Sequence, residues 1–310
     1  MTDLPAGFVV TVDPGDRIHF LDWGGPATSE PGSGALLIHG LSQTAWIWAP
    51  VARRLAATIP TIPTIPTIPT IPTITMDLRG HGLSDAPTED GAYALGVLAD
   101  DVVAVAEGSG LAADGRRAVL VGHGFGAIVA AVTASRLGKR CAGLVLVDGG
   151  WESMEASTGV DADEFIRGLD EPPEVMRSLR AFLADRRAFD PSTWDDDQDT
   201  AARATVVETH AGRVVPATRP HALEACVRAM FAYEPAMTLA AVEAPIVALV
   251  ATDDGAGSRV GALAALSDAR VAAGRGAIGV RSFESVGHNL MRYCPTDVTD
   301  AILSLARSGS

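Results

Sequence analysis

The segment that constrains this chain most is Val119-Leu120-Val121-Gly122-His123-Gly124-Phe125-Gly126-Ala127. A short apolar run enters a turn with glycine at every second position, and the alanine-rich stretch from Ala127 then opens a helix of small residues. Glycine at 122 and 126 lets the strand and helix backbones approach closely. Glycine at 124 takes turn dihedrals that a side chain would resist. An apolar strand delivered so abruptly into a helix is half of a βαβ unit, and it commits the chain to an α/β architecture.

The alternation recurs along the sequence. Strand-like runs occur at 8–12, 18–21, 36–38, 74–77, 119–121, 144–147, 246–250 and 278–283, with helical patterns at 44–57, 93–107, 127–137 and 297–306. This order predicts a mostly parallel central sheet flanked by helices. Between Trp151 and about Pro235 helical spacing continues without strand-like runs, as in Phe165-Ile166, Met176, Leu179, Phe182-Leu183, Cys226-Val227 and Met230-Phe231. A helical insertion over 152–235 is therefore expected, set into a core of 1–151 and 236–310. Its apolar residues either hold the insertion together or roof a pocket at the strand ends. Residues 58–73 are five copies of Thr-Ile-Pro followed by Thr73. Proline at every third position excludes helix and central strand, which leaves an extended surface loop within the core, spanning at most about 45 Å.

Length and charge narrow the function. At 310 residues and 47% apolar content the chain accommodates one large domain with an insertion. A net charge of −14 with no basic run argues against nucleic acid and against anionic membrane surfaces. A small neutral or apolar ligand is easier to accept. Cys141, Cys226 and Cys294 are dispersed and odd in number, which suits buried apolar roles in a reducing compartment. The first residues lack a secretory pattern and no apolar run reaches membrane-span length, so a soluble cytoplasmic protein is expected. The histidines are too dispersed for a metal motif, and no phosphate-cradling G-x-x-x-x-G-K-[ST] loop exists. Asp195-Asp196-Asp197 with Asp199 lacks the glycine and terminal glutamate of a calcium loop and reads as an acidic helix start.

Four features fall in one order: Leu36-Leu37-Ile38-His39-Gly40-Leu41-Ser42 with Trp46 and Trp48 behind it; Met76-Asp77-Leu78-Arg79-Gly80-His81-Gly82-Leu83-Ser84-Asp85; the Gly122–Gly126 frame; and Ala251-Thr252-Asp253-Asp254 with Ser285-Val286-Gly287-His288-Asn289-Leu290. In this order the chain resembles the α/β-hydrolase superfamily, in the branch of esterases, lactonases, haloalkane dehalogenases and epoxide hydrolases. The resemblance spans nearly the whole chain apart from the Thr-Ile-Pro repeat. It implies an α/β-hydrolase fold with a helical cap, no cofactor, and a small ester, lactone or related carbonyl substrate. It assigns His288 as general base. It assigns the acid partner to Asp254, with Asp253 and then Asp148 as alternatives. The N–H groups of Leu41 and Phe125 would form an oxyanion hole. His39 and Gly40 would shape the adjoining turn and, with Trp46 and Trp151, contact substrate. The residues 77–84 would brace loops, and His123 would support the turn beneath Gly124.

In that superfamily the position of Gly124 carries serine, or aspartate in the dehalogenase and epoxide branches, presented on a strained strand-to-helix elbow. Glycine forms the elbow and supplies no attacking atom. Three readings follow: a hydrolase whose nucleophile has been replaced; an enzyme in which His288 activates water or abstracts a substrate proton directly; or a catalytically silent small-ligand-binding protein. The glycines also create a local match to the dinucleotide fingerprint G-x-G-x-x-G/A through Ala127, with Asp148 at ribose distance. That alternative leaves residues 39–40, 77–84, Asp254 and His288 unexplained.

Overall fold

The computed structural model describes residues 4–25, 33–56, 70–113, 115–169, 178–252 and 256–308. In chain order come β1 (Ala6–Val12), β2 (Asp16–Asp22), β3 (Ser33–Ile38), α1 (Ala49–Ala56), β4 (Thr73–Met76), α2 (Leu95–Gly108), β5 (Arg117–His123), α3 (Phe125–Leu137) and β6 (Cys141–Val147). Then follow α4 (Met154–Thr158), α5 (Ala162–Leu169), α6 (Leu179–Phe189), α7 (Asp196–Ala204), β7 (Val206–Glu208), β8 (Val214–Pro216), α8 (Pro220–Phe231) and α9 (Pro235–Ala241). The chain closes with β9 (Ile246–Thr252), α10 (Ala256–Ala272), β10 (Ile278–Glu284), α11 (Leu290–Tyr293) and α12 (Pro295–Ser308).

Eight strands form one sheet in the order β1-β2-β4-β3-β5-β6-β9-β10. β1 and β2 are an antiparallel pair joined to β4, and every pairing from β4 through to β10 is parallel. The central strands β3, β5, β6 and β9 are mostly apolar because both faces are covered. Leu36, Ile38 and Leu120 face one helical layer with Val102 and Val129, while Leu37, Val119 and Val121 face the other with Trp48, Leu55 and Ile302. Strand period two thus divides one apolar sequence between two cores.

The region between β6 and β9 differs from the expected all-helical insertion. It carries a two-stranded antiparallel hairpin, β7 with β8, in addition to its helices. Each strand is three residues long, too short to register a period-two pattern against its surroundings. Val214 closes a small cluster with Phe182 and Leu183, separate from the two main cores. The acidic run does start a helix: Asp195 caps α7, its carboxylate accepting the Gln198 N–H at 2.8 Å. Residues 57–69, most of the Thr-Ile-Pro repeat, and Met176 lie outside the described residues.

Candidate active site

The parallel strands end in register. Ile38 of β3 pairs with Gly122 of β5, His123 with Val147 of β6, and Val147 with Leu249 of β9. Residues just past these carboxyl ends therefore share one edge of the sheet, the usual ligand side of parallel α/β folds. His39–Leu41, Gly124, Asp148 and His288 arrive there from β3, β5, β6 and β10.

Gly124 sits at φ 52°, ψ −116°, immediately before α3. Its N–H donates to Val147 O at 3.1 Å, and its carbonyl accepts the Ala127 N–H at 3.1 Å. Its neighbours make the sharp turn possible. A Cβ on Gly122 would stand 2.2 Å from Gly126 O, and one on Gly126 would stand 2.3 Å from His39 O and 2.4 Å from Ile38 O. These two glycines are fixed by backbone, with no flexible group to yield. A Cβ on Gly124 points elsewhere: it would lie 3.2 Å from His288 Nε2 and 3.6 Å from its Cε1, with Gly40 Cα at 4.0 Å.

His288 Nδ1 lies 2.6 Å from Asp148 Oδ2. Among the described residues, Asp148 is the aspartate named from sequence that meets the imidazole. Asp253 and Asp254 lie outside the described residues. Asp148 is buried and held at φ 47°, a left-handed conformation that few non-glycine residues adopt. Its other oxygen accepts the Ala251 N–H at 3.0 Å and Arg259 Nη1 at 2.9 Å. Burial opposes ionisation, yet the hydrogen bond to His288 and the Arg259 charge together hold its carboxyl below the ordinary carboxylate range. Arg259 also donates to Glu152 Oε2 at 2.8 Å, and its guanidinium lies 5.2 Å from the Trp151 ring centroid.

Leu41 and Phe125 both line the cavity in front of Gly124. Among the described residues, neither N–H group has a hydrogen-bond partner. Phe125 opens α3, so its amide is one of the helix's unsatisfied N-terminal donors. The loop bearing Leu41 is held from below. Ser42, at φ 59°, donates its N–H to His81 Nε2 at 3.2 Å, and Asp77 Oδ1 accepts the Ala45 N–H at 2.7 Å. The residues 77–84 thus brace the loop.

Of the four residues set beside substrate, Gly40 and Trp151 line the cavity, while His39 and Trp46 do not. His39 is wholly buried. Its Nδ1 meets Gly40 O at 2.7 Å and its Nε2 accepts the Leu78 N–H at 3.0 Å, leaving the ring committed to backbone. Trp46 packs edge-on against Trp23 with centroids 5.8 Å apart. His123 lies under His288, ring centroids 4.3 Å apart, with its nitrogens facing Gln43 Oε1 and His288 O. Burial pushes its imidazole down to about 3, so the neutral ring donates to one of these acceptors at a time.

Three participants escaped sequence reading. Gln43 accepts the Gly40 N–H at 3.0 Å and donates to Asn289 Oδ1 at 2.8 Å, tying the β3 and β10 loops over the turn. Arg259 and Glu152 complete the Asp148 cluster. A lone arginine among small helical residues carries no sequence signal for such a position, since it reads as a solvated face. The cavity holds about 950 Å³, walled by these groups together with Ile128, Met154, Met230 and Leu266. Among the described residues no cluster of three or more His, Cys, Asp or Glu is placed to hold a metal, and no helix is long and apolar enough to cross a membrane.

Comparison with known proteins places the family and the fold. The alpha/beta hydrolase family model matches residues 35–301, and the chain belongs to that family. Over 127 residues it is 30% identical to bifunctional epoxide hydrolase 2 of Sus scrofa; the match covers 41% of this chain and 19% of that enzyme, so the chain spans far less than the relative's full length. Among solved structures, E-2-(acetamidomethylene)succinate hydrolase superposes with a TM-score of 0.74 at 20% identity, covering 97% of this chain and 100% of the other. An esterase of M. tuberculosis gives 0.68 at 19% identity, covering 98% and 93%. At such identities these two likenesses speak for the fold.

Proposed function

We propose that this chain is a hydrolase-type protein for a small ester, lactone or related carbonyl compound, with a nucleophile–His–Asp site whose nucleophile position is held by Gly124. The supporting observation is directional: the missing Cβ at 124 would face His288 Nε2 at 3.2 Å, while the opposite ring nitrogen is tied to buried Asp148. That is the geometry a general base needs toward an attacking hydroxyl.

In this reading Asp148 fixes the imidazole tautomer with the proton on Nδ1 and offsets the imidazolium charge as it forms. The Leu41 and Phe125 amides receive the carbonyl oxygen as it becomes an oxyanion. Residues 152–235 act as a cap, through Met154 and Met230, and set the acyl or alcohol fit. The free cysteines Cys141, Cys226 and Cys294 suit a cytoplasmic setting. No cofactor is required by any step.

With glycine at 124 no acyl-enzyme forms. Removing the nucleophile from such a site costs on the order of 10⁶ in kcat and leaves roughly 10³–10⁴ over water, supplied by binding and the amide pair. In that residual turnover the attacking group is water reaching His288, whose side chain is 56% exposed. The test is an ester panel run on this chain and on Gly124→Ser. Strong hydrolysis by the variant supports the reading, and no gain on any ester overturns it.

A further inference from the structure

We infer that the vacant place at Gly124 is used by a small neutral alcohol, which makes the protein a direct acyl-transfer catalyst. The inference rests on the preceding reading of His288, Asp148 and the amide pair, and it adds the second substrate.

Three observations carry it. First, among the described residues and apart from the chain neighbours of Gly124, the atoms nearest its Cβ position are His288 Nε2 at 3.2 Å and Cε1 at 3.6 Å, with Gly40 Cα at 4.0 Å, so the imidazole edge faces that position directly. Secondly, His288 is half exposed while its Nδ1 is pinned, so Nε2 is reachable from the cavity without loss of orientation. Thirdly, the cavity, at about 950 Å³, has room for an ester and an acceptor together.

The chemistry balances without any redox partner. Nε2 of His288 takes the hydroxyl proton of the alcohol as its oxygen bonds to the ester carbonyl carbon. The carbonyl electron pair moves to oxygen between the Leu41 and Phe125 N–H groups. As the carbonyl re-forms, the original carbon–oxygen ester bond breaks, and the imidazolium returns the proton to the departing alkoxide. One ester and one alcohol become a new ester and a new alcohol, with no covalent intermediate on the protein.

The surroundings select the acceptor's charge and shape. Asp148, Glu152 and Arg259 place two negative charges and one positive beside His288, so an anionic nucleophile is disfavoured. Leu41, Phe125, Ile128 and Trp151 offer apolar wall to an alkyl tail. Burying each further methylene favours the alcohol over water by about fourfold.

The test uses p-nitrophenyl acetate with this chain, His288→Ala and Gly124→Ser, in the presence of methanol, ethanol, 1-propanol or azide, with products separated as alkyl ester and free acid. The expected result is p-nitrophenol release by this chain that climbs and saturates with alcohol and yields the alkyl acetate. Its per-mole preference over water should rise about fourfold per methylene. Azide gives no acceleration, and His288→Ala loses the alcohol-dependent rate. If alcohol gives no more product with this chain than with His288→Ala while Gly124→Ser hydrolyses the ester, the acyl-transfer inference falls and the hydrolase reading stands. If Gly124→Ser is silent as well, both fall.

Discussion

At residue scale the site is a pair of opposed commitments. Position 124 has a backbone conformation that L side chains rarely adopt, at φ 52°, and glycine holds it without strain. Gly124→Ser should therefore cost about 1–3 kcal/mol of stability and gain at least about 10³-fold in ester turnover. Gly124→Ala should show the same loss in urea denaturation with no gain in rate. Asp148 is the complementary case, a non-glycine residue in a left-handed conformation, held by His288, Arg259 and the Ala251 N–H. In the Gly124→Ser background, Asp148→Asn should lower kcat by about 10⁴ with little change in KM, because an amide no longer enforces the imidazole tautomer. Steady-state kinetics separate the two parameters. The frame around Gly124 stood out in sequence because it ends an apolar strand, and His288 because it follows Gly287 just after the last strand. The choice among aspartates did not. Asp148, Asp253 and Asp254 all follow strand-like runs in the sequence, and the approach of Asp148 to Nδ1, the contact seen among the described residues, leaves no trace in one dimension. Arg259 and Gln43 act through chain reversals that leave no local pattern.

At the scale of elements, the β5–α3 unit depends on backbone packing as tight as any in the molecule. Gly126→Ala would drive a methyl against the carbonyls of His39 and Ile38, which belong to the end of β3 and cannot rotate away. We expect a loss of about 1–3 kcal/mol or more, seen as a lower urea midpoint, together with loss of ligand binding as the Leu41 loop shifts. Sequence period served the elements unevenly. Apolar runs of β3, β5, β6 and β9 stood out because both faces are buried, whereas β7 and β8 have three residues each and mostly exposed side chains. The helix α10 also went unread. Its run Ala-Gly-Ser-Arg-Val-Gly-Ala-Leu-Ala-Ala-Leu is poor in large apolar residues, so its amphipathic signal is weak.

For the molecule as a whole, several buried polar groups make stability sensitive to acid. His81 and His123 are buried with their imidazoles pushed down to about 3, so the folded state keeps them neutral while the unfolded chain protonates them near 6.5. The unfolded state then binds more protons between those limits, and stability falls as pH drops from 6.5 towards 3. The slope should be about 1 kcal/mol per pH unit for each ring. Asp77 and Asp148, whose carboxyls sit below the ordinary range, add a further loss as pH falls past about 3.8 and through their lowered values. Urea midpoints at pH 7, 6 and 5 check the histidine window; stability unchanged across it would contradict this account. Both rings lie under the site, His81 beneath the Leu41 loop and His123 beneath His288, so acid unfolding and loss of ligand binding should coincide.

The central claim is that a base, an acid partner and two amide donors stand assembled around an absent nucleophile at position 124. Its most direct measurement is the intact mass of Gly124→Ser after exposure to an alkyl fluorophosphonate, with this chain and Gly124→Ser/His288→Ala as controls. One phosphonyl adduct is expected on the single variant, mapped by peptide analysis to position 124, and none on either control. Labelling of the double variant at the same rate, or no labelling of the folded single variant, would contradict it.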